Sequence, residues 1–202
     1  HKKKARKTKH LLYGIIQGGE YKDLRLKSAK FISSLGFDGI AIGGSLGKSK
    51  KDMHNILEWV VPLLPEGKPR HLLGIGGIDD LFECVERGID TFDCVLPTRV
   101  ARRGSLFISP KAAGRIKNKF RINIDNAKFK MDKGPIDKNC SCEACQNYSR
   151  AYLNHLFRTK EIAYYRLASL HNVNFMLRLM ESIKKSINEG NFNKLKKEWL
   201  KA

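Results

Sequence analysis

The chain has 202 residues, 42% of them apolar, which is enough to bury the core of one or two domains and excludes a disordered chain. Lys and Arg number 39 against 20 Asp and Glu, and the resulting charge of +19 favours nucleic acid over an anionic membrane surface as a partner. No apolar run reaches the roughly 18 residues that a membrane span needs, and no signal-peptide pattern follows residues 1–10, so we expect a soluble, cytoplasmic protein with no membrane partner.

The N-terminal segment, HKKKARKTKH, carries six Lys or Arg in ten residues. It begins without an initiator Met, and nothing in it resembles a complete N-terminal domain. We interpret it as the end of a helix from a longer protein, and we therefore expect the chain to be a fragment.

The first half of the chain repeats one pattern, in which a short apolar strand is followed by a glycine pair and an amphipathic helix. The predicted strands are residues 11–16, 39–42 and 72–75, and the predicted helices cover about 24–32, 52–61 and 79–88. We expect the inner face of the first helix to consist of Leu24, Ala29, Phe31 and Ile32. Strands separated by single helices predict parallel βαβ units, and hence an α/β fold.

Glycine pairs stand at the end of each of these strands, as Gly18–Gly19, Gly43–Gly44 and Gly76–Gly77. Binding sites in parallel α/β folds form at the carboxyl ends of the strands, where glycine lets a ligand approach the backbone. A single pair is more often an ordinary tight turn, but three pairs at equivalent ends favour a site. Neither GxGxxG nor GxxxxGK[ST] occurs, so dinucleotide and P-loop sites are not indicated.

Residues 91–96, TFDCVL, predict a fourth strand that stops at Pro97. We expect Asp93 to be buried in it, and a buried carboxylate costs several kcal/mol unless it is paired or used in chemistry. Asp93 is therefore the candidate catalytic residue. Three arginines that could hold a phosphate-rich substrate follow directly: Arg99, Arg102 and Arg103.

The segment 99–138 holds 12 Lys or Arg against 3 Asp or Glu, so it carries +9 of the total charge. Its apolar residues alternate with basic ones in the manner of short, solvent-facing strands. A merely solubilising face would mix both signs of charge, whereas arginines interleaved with aromatic residues favour contacts with phosphates and bases. We therefore interpret the segment as a nucleic-acid-binding surface.

Three cysteines lie within six residues, at Cys140, Cys142 and Cys145. Packing does not need this density of thiols, whereas three soft ligands and one histidine form a closed structural zinc site. His155 and His171 are both candidates for the fourth ligand, and spacing alone does not choose between them.

The remainder of the chain predicts helices at 149–157, 162–170 and 173–187, with apolar residues three and four positions apart. His171 lies at the expected break between the last two helices. Gly190 ends the last helix, and a short basic tail follows.

Five motifs in this order resemble the tRNA-guanine transglycosylase (queuine tRNA-ribosyltransferase) family: IIQGG, GIAIGG, FDCVLPTR, CxCxxC and SLHN. The resemblance covers essentially the whole chain and implies the C-terminal half of a zinc-containing (β/α)8 TIM barrel that acts on tRNA. It implies a half-barrel at 1–105 with strands five to eight, an inserted basic zinc-binding subdomain at 106–171, and a C-terminal helix with a basic tail at 172–202.

The resemblance also implies roles for individual residues. Asp93 matches the nucleophile, which attacks the ribose anomeric carbon and displaces guanine, leaving a covalent RNA intermediate. Gln17 and the backbone of Gly43–Gly44 match the groups that hydrogen-bond the base. Arg99 and Arg102, with the neighbouring Arg103, match the basic residues that bind tRNA.

For the metal, the resemblance implies one structural Zn2+ that takes no part in the reaction. Its ligands match Cys140, Cys142, Cys145 and His171. The implied partners are tRNA, a 7-deazaguanine base (aminomethyl-deazaguanine or queuine) and a second copy of the full-length protein in a homodimer. Because no RNA-binding domain follows the last helix, we expect the bacterial type of the enzyme.

The chain departs from the family pattern in two respects. Bacterial members read GGLAVGE after the second strand, but this chain has Gly43-Gly44-Ser45-Leu46-Gly47-Lys48, so the inserted base is not specified. The general acid/base aspartate and a guanine-reading aspartate lie in the family's N-terminal half and have no counterpart here. Asp90 does not replace them, because residues three apart on a strand point to opposite faces. We therefore expect the isolated chain to be inactive.

Two alternatives belong to other classes of protein. One is a non-catalytic zinc and RNA-binding module, which could be a partner subunit. The other is an unrelated α/β enzyme that binds a sugar phosphate at Gly76–Gly77.

Overall fold

The computed structural model describes residues 10–201, in two compact units that meet in the sequence between Cys94 and Val95. The interpretation of the basic N-terminal segment as the end of a helix concerns residues 1–9, which lie outside the described residues. The domain boundaries expected from the family resemblance stay predictions.

The first unit alternates strands and helices. Its strands are β1 (Tyr13–Ile16), β2 (Gly39–Ile42), β3 (Arg70–Leu72) and β4 (Thr91–Phe92). Its helices are α1 (Lys22–Ser34), α2 (Lys50–Val60) and α3 (Ile78–Glu86), with a 3-10 turn at Val61–Leu63. Ser49 and Asp52 form a capping box at the start of α2, and Pro62 lies in the 3-10 turn after it.

The four strands form one parallel sheet in the order β1-β2-β3-β4. Each strand therefore pairs with the next one in the sequence, with Tyr13 opposite Gly39, Ala41 opposite His71 and His71 opposite Thr91. All four residues of β2 are buried, as is typical of a parallel strand that is covered on both faces. The mixed α/β fold with a parallel sheet is confirmed.

The predicted inner face of α1 is partly wrong. Leu24 and Phe31 are exposed, whereas Arg25 and Ala29 are buried. The buried positions still follow a helical period, but an arginine occupies one of them because backbone carbonyl groups accept all of its hydrogen bonds.

The predicted fourth strand is shorter than expected. It ends at Phe92, and Leu96 begins helix α4 (Leu96–Ala101), which has Pro97 in its first turn. Proline is favoured there because the first turn of a helix has no partner for its N–H group. The segment after Asp93 thus leaves the sheet directly.

The second unit contains α4, a two-stranded sheet and four further helices. The antiparallel strands are β5 (Ser105–Phe107) and β6 (Arg121–Asn123), and 3-10 turns lie at Pro110–Ala112, Ile116–Asn118 and Ala127–Phe129. The further helices are α5 (Glu143–Asn147), α6 (Arg150–Arg158), α7 (Ile162–Asn188) and α8 (Phe192–Leu200). The core joins apolar residues of β5 and β6 to those of α6 and α7.

The predicted break near residue 171 is wrong, because α7 is one continuous helix of 27 residues. Leu167, His171, Phe175 and Leu179 are buried at intervals of four residues along it. The sequence between 170 and 173 contains neither glycine nor proline, so nothing local ends the helix there. Within residues 10–201, none of the helices combines the length and the apolar character that crossing a bilayer requires.

Candidate functional site

The candidate catalytic residues lie at the carboxyl edge of the parallel sheet in the first unit. Gln17 follows β1, Gly43 and Gly44 follow β2, and Asp93 follows β4. Because the strands are parallel and in register, these ends form one edge of the sheet, which is where parallel α/β folds place their ligands.

Gln17 lies beside the second glycine pair. A Cβ atom placed on Gly44 would be 2.3 Å from Gln17 Oε1, and one on Gly43 would be 3.5 Å from Gln17 Nε2. Gly44 also has a φ of +77°, which favours glycine. The two loops therefore approach each other closely enough that an amide side chain and bare backbone could face the same ligand.

Arg25 connects the loops that follow β1 and β2. The sequence reasoning did not identify this residue. Its side chain is 0% exposed. Nε donates to Gly19 O at 2.8 Å, Nη1 to Gly43 O at 2.8 Å and Nη2 to Ser45 O at 2.6 Å, with a longer contact from Nη1 to Ile16 O. Burial lowers the pKa of Arg25, but a guanidinium remains charged at neutral pH. The guanidinium thus holds the loops after β1 and β2 together.

Asp93 is exposed, so the prediction that it is buried is wrong. Its side chain is 58% exposed at the end of β4. Oδ1 accepts a hydrogen bond from the Gly74 N–H at 3.2 Å and lies 3.2 Å from His71 Nε2. An exposed carboxylate costs little free energy to keep ionised. The argument that the cost of burial singles out Asp93 as a catalytic residue therefore does not apply.

His71 is a residue at this edge that the sequence reasoning missed. It lies on β3, and its Nδ1 is 2.9 Å from Thr91 Oγ1 on β4. The predicted third strand began at residue 72, whereas β3 covers Arg70–Leu72, so the sequence pattern gave no signal for His71 or for the pairing of β3 with β4.

Arg99, Arg102 and Arg103 lie in the second unit, in and just after α4. All three are exposed. The side chains are therefore available for contacts with an anionic ligand.

The third glycine pair is less suited to an anion. Gly77 precedes α3, whose first turn contains Asp79 and Asp80. Both carboxylates contact Lys50, and a Cβ atom on Gly77 would be 2.4 Å from Asp80 Oδ2. Two carboxylates at this helix N-terminus disfavour a phosphate there.

The candidate metal centre lies within the second unit. One ligand atom from each of four buried residues falls within 4.8 Å of the others: Cys140, Cys142, Cys145 and His171. His171 Nδ1 is 3.4 Å from the sulfurs of Cys142 and Cys145 and 3.8 Å from that of Cys140. In a tetrahedral zinc site these atoms lie about 3.6 Å apart, so the four residues fit one Zn2+. His155 is exposed on α6 and is not in this cluster.

Residues around the cluster fix the orientation of its ligands. His171 Nε2 donates to Phe107 O at 2.8 Å, so Nδ1 keeps its lone pair toward the sulfurs. The adjacent Asn172 accepts from Phe107 N at 2.9 Å and donates to Pro97 O and Ser105 O. These bonds hold α7 against β5 at the level of the metal ligands.

The loop before the cysteines is organised by Asp137. Its carboxylate accepts from Ser109 N at 2.7 Å and Asn139 N at 2.8 Å. Burial raises the pKa of Asp137, but these hydrogen bonds lower it further than burial raises it. Arg178 of α7 also donates to Asn139 O at 3.1 Å, which ties the loop to the helix.

The three cysteines change one another's pKa values. Hydrogen bonds from Cys140 and Cys145 lower the pKa of Cys142 to about 3. The hydrogen bonds with Cys140 and Cys142, together with burial, raise the pKa of Cys145. Zinc binds cysteine as thiolate, so a divalent metal in this cluster would displace the protons that the sulfurs carry without it.

Comparisons with known proteins agree with the sequence motifs. A family model described as queuine tRNA-ribosyltransferase matches residues 1–202. A protein of Archaeoglobus fulgidus, whose name places it provisionally in this family, is 60% identical over 189 residues, which are 94% of this chain and 47% of that protein. The queuine tRNA-ribosyltransferase of Roseiflexus sp. (strain RS-1) is 49% identical over 94% of this chain and 46% of its own length.

The queuine tRNA-ribosyltransferase of Vibrio parahaemolyticus is 51% identical over 93% of this chain and 48% of its own length. The chain thus spans about half the length of the curated relatives it matches. Since the family model covers every residue, the resemblance expected from the five motifs is confirmed, and the chain belongs to the queuine tRNA-ribosyltransferase family.

Proposed function

We propose that this chain is part of a tRNA-guanine transglycosylase, which replaces guanine at the anticodon wobble position with a 7-deazaguanine precursor of queuosine. The observation that carries the proposal is the exposed carboxylate of Asp93 at the carboxyl edge of a parallel sheet, within the family's FDCVLPTR motif. Its position supports a role in chemistry, since ligands of parallel α/β folds bind at this edge and an exposed carboxylate there can reach a substrate.

In the proposed reaction, a carboxylate oxygen of Asp93 attacks C1′ of the ribose. The bond between C1′ and N9 of guanine breaks, its electron pair leaves with guanine, and an acid from outside this sequence protonates the leaving base. The conjugate base of that acid then takes the proton from the ring nitrogen of the incoming deazaguanine, and this nitrogen attacks C1′ and releases the carboxylate, so the stereochemistry at C1′ is retained.

Gln17 and the Gly43–Gly44 backbone are proposed to hydrogen-bond the base. The close approach of Gln17 to Gly44 supports this role, because a side chain at position 44 would displace the Gln17 amide. Arg25 also supports the proposed base-binding role. Its hydrogen bonds to Gly19, Gly43 and Ser45 hold the loops after β1 and β2 in place.

The sheet is proposed to be the second half of a (β/α)8 barrel. Its strands pair in sequential order and in parallel, as the strands of such a barrel do. Among the described residues, β1 and β4 each pair with one strand only, so both edges of the sheet are available to the further strands that would close a barrel. The matched relatives are about twice as long as the matched region, which leaves room for the other half. A homodimer of the complete enzyme remains part of this proposal.

Arg99, Arg102 and Arg103 are proposed to bind the tRNA backbone. Their exposure and the +9 charge of residues 99–138 support a phosphate contact. The zinc cluster supports this surface indirectly, because it organises the unit that contains the arginines.

A second candidate is a non-catalytic zinc and RNA-binding module. One observation favours it: the metal cluster and the basic segment both lie in the second unit, which contains none of the proposed catalytic residues. The sugar-phosphate alternative is disfavoured by the two aspartates beside Gly77.

The deciding experiment measures incorporation of labelled guanine into tRNA by the native protein that carries this chain. We expect Asp93→Asn to abolish exchange and to abolish the covalent RNA–protein band on a denaturing gel. Asp23→Asn, which changes an exposed acid on α1, is the matched control and should exchange at the wild-type rate. Full exchange by Asp93→Asn would overturn the catalytic proposal, whereas tRNA binding without exchange by the wild-type protein would favour the module.

A further inference from the structure

His71 and Thr91 occupy the same face of the sheet as Asp93. They are direct partners in the pairing of β3 with β4, and Asp93 follows Thr91 by two residues. Since side chains two apart along an extended segment point to the same side, the carboxylate comes within reach of the imidazole ring. The structure places His71 Nε2 3.2 Å from Asp93 Oδ1.

The hydrogen bonds assign the protons of the neutral ring. A carboxylate can only accept, so His71 Nε2 carries the hydrogen and donates it to Asp93. Nδ1 is then an acceptor, and the hydroxyl of Thr91, at 2.9 Å, donates to it. The carboxylate therefore selects the tautomer with the hydrogen on Nε2, and the Thr91 hydroxyl, which can donate as well as accept, supports that tautomer by donating to Nδ1.

The ring is also held by packing. The Tyr13 ring meets the His71 ring edge to face, with centroids 6.4 Å apart. Tyr13 reaches His71 over Gly39, where a Cβ atom would lie 2.4 Å from the tyrosine ring. His71 itself is only 21% exposed, so its ring has little freedom to turn.

Both donors act on the same oxygen of Asp93. Gly74 N and His71 Nε2 each lie 3.2 Å from Oδ1, while the side chain as a whole is 58% exposed. Two donors fix the carboxylate plane and stabilise charge on Oδ1. Neither of these two donors contacts Oδ2, so Oδ2 is the oxygen available for reaction.

We infer that His71 is a positioning residue for the nucleophile, which holds Oδ1 of Asp93 so that Oδ2 forms the bond to the ribose carbon. The inference rests on the proposed function of Asp93. In the covalent intermediate Oδ1 becomes the carbonyl oxygen of the ester, and it still accepts from His71 and Gly74. When the incoming base displaces the ester, the same donors stabilise the charge that returns to the carboxylate.

Three variants of the native protein test the role of Nε2. His71→Leu removes the donor, His71→Asn places an amide nitrogen near the position of Nδ1, and His71→Gln places one near the position of Nε2. We expect the single-turnover rate of covalent RNA–protein formation to fall about tenfold to a hundredfold in the Leu and Asn variants, with tRNA affinity unchanged. The Gln variant should recover most of the rate, which a merely space-filling role for His71 would not explain.

Thr91 supplies a milder second test in case the histidine variants fold poorly. Thr91→Val is nearly isosteric and removes the hydroxyl, whereas Thr91→Ser keeps it. We expect a slower rate for Val and the wild-type rate for Ser. In nitrogen NMR spectra of the native protein, His71 should be the Nε2–H tautomer, and an Nδ1–H tautomer would overturn the inference.

Asp93→Asn separates this inference from the proposed function. If Asp93→Asn is inactive while His71→Leu, His71→Asn and Thr91→Val all react at the wild-type rate, His71 has no positioning role and the nucleophile stands. If Asp93→Asn forms the covalent complex normally, Asp93 is not the nucleophile, and both proposals fail.

Discussion

The Nε2 atom of His171 donates a hydrogen bond to the carbonyl oxygen of Phe107 at 2.8 Å, and this single contact turns Nδ1 toward three cysteine sulfurs. The carbonyl belongs to β5, whereas the histidine lies in the middle of α7. The metal centre therefore joins the small antiparallel sheet to the longest helix of the second unit. Loss of the metal should loosen that junction before it affects the rest of the unit.

His171→Ala should abolish the binding of one zinc equivalent per chain, because it removes a ligand and leaves three thiolates with an open position. We expect the affinity to fall more than about a hundredfold and the melting temperature to drop to that of chelator-treated protein. Metal analysis and thermal unfolding, each with and without a chelator, measure both effects.

His155→Ala is the control for this experiment, since His155 is a histidine on the neighbouring helix α6 and is exposed. It should bind zinc as the wild-type chain does. Folded, reduced wild-type protein that contains no zinc would show that the cluster is not a metal site.

Gly44→Ala should weaken the binding of the base without preventing folding. The new methyl group would meet Gln17 Oε1 at 2.3 Å and displace that amide, and the φ of +77° adds about 1 kcal/mol of strain. We expect a higher KM for the base and an unchanged affinity for tRNA. Gly67→Ala, at an exposed position with open space around it, should leave both values unchanged. A normal KM for the base in Gly44→Ala would remove Gln17 and Gly44 from the binding site.

Arg25→Met should destabilise the first unit by about 2 to 4 kcal/mol, because it removes the hydrogen bonds to Gly19 O and Ser45 O and leaves the buried carbonyl group of Gly43 without this donor. Urea unfolding of the variant measures the difference. Lys27→Met, a change at an exposed position on the same helix, should alter the free energy of unfolding by less than about 0.5 kcal/mol. Similar values for the two variants would mean that the loops after β1 and β2 do not depend on Arg25.

The cysteine ligands could be predicted from the sequence because their signal is local: three thiols within six residues. The fourth ligand lies 26 residues beyond Cys145, and spacing alone left His155 and His171 equivalent. Only the family resemblance distinguished them. The continuous helix then explains the pattern around His171, since the same helical face carries Leu167 and Phe175 into the core.

The surroundings of Asp93 could not be predicted in the same way. Periodicity identified the βαβ order and the edge of the sheet, but it treated Asp93 as a buried strand residue because its neighbours are apolar. The contact with His71 arises from the register of β3 against β4, across 22 residues of sequence. Arg25 was missed for a related reason, because a hydrophobic pattern cannot recognise a charged side chain that is buried by backbone hydrogen bonds.

Asp132→Asn should destabilise the second unit at neutral pH but not in acid. Asp132 Oδ2 is 2.6 Å from Arg150 Nη1, and Oδ1 accepts from Gly134 N at 2.8 Å. Partial burial raises the pKa of Asp132, but the hydrogen bonds from Gly134 and Arg150 lower it more, so the pKa in the folded chain lies below its ordinary value. The carboxylate therefore contributes stability above the unfolded-state pKa of about 3.9, and this contribution is lost as the pH falls through the lower folded-state pKa.

The measurement compares urea unfolding of the variant and of the wild-type chain at each pH, so that any loss of zinc in acid affects both proteins alike. We expect a difference of about 1 to 2 kcal/mol at pH 7 that shrinks toward zero near pH 2. Asp125→Asn is the matched control, because Asp125 pairs with Arg158 at 3.7 Å with both side chains about half exposed, and such surface pairs contribute little. A deficit for Asp132→Asn that stayed constant across this pH range would show that the amide disturbs packing, and that the charge of Asp132 does not stabilise the fold.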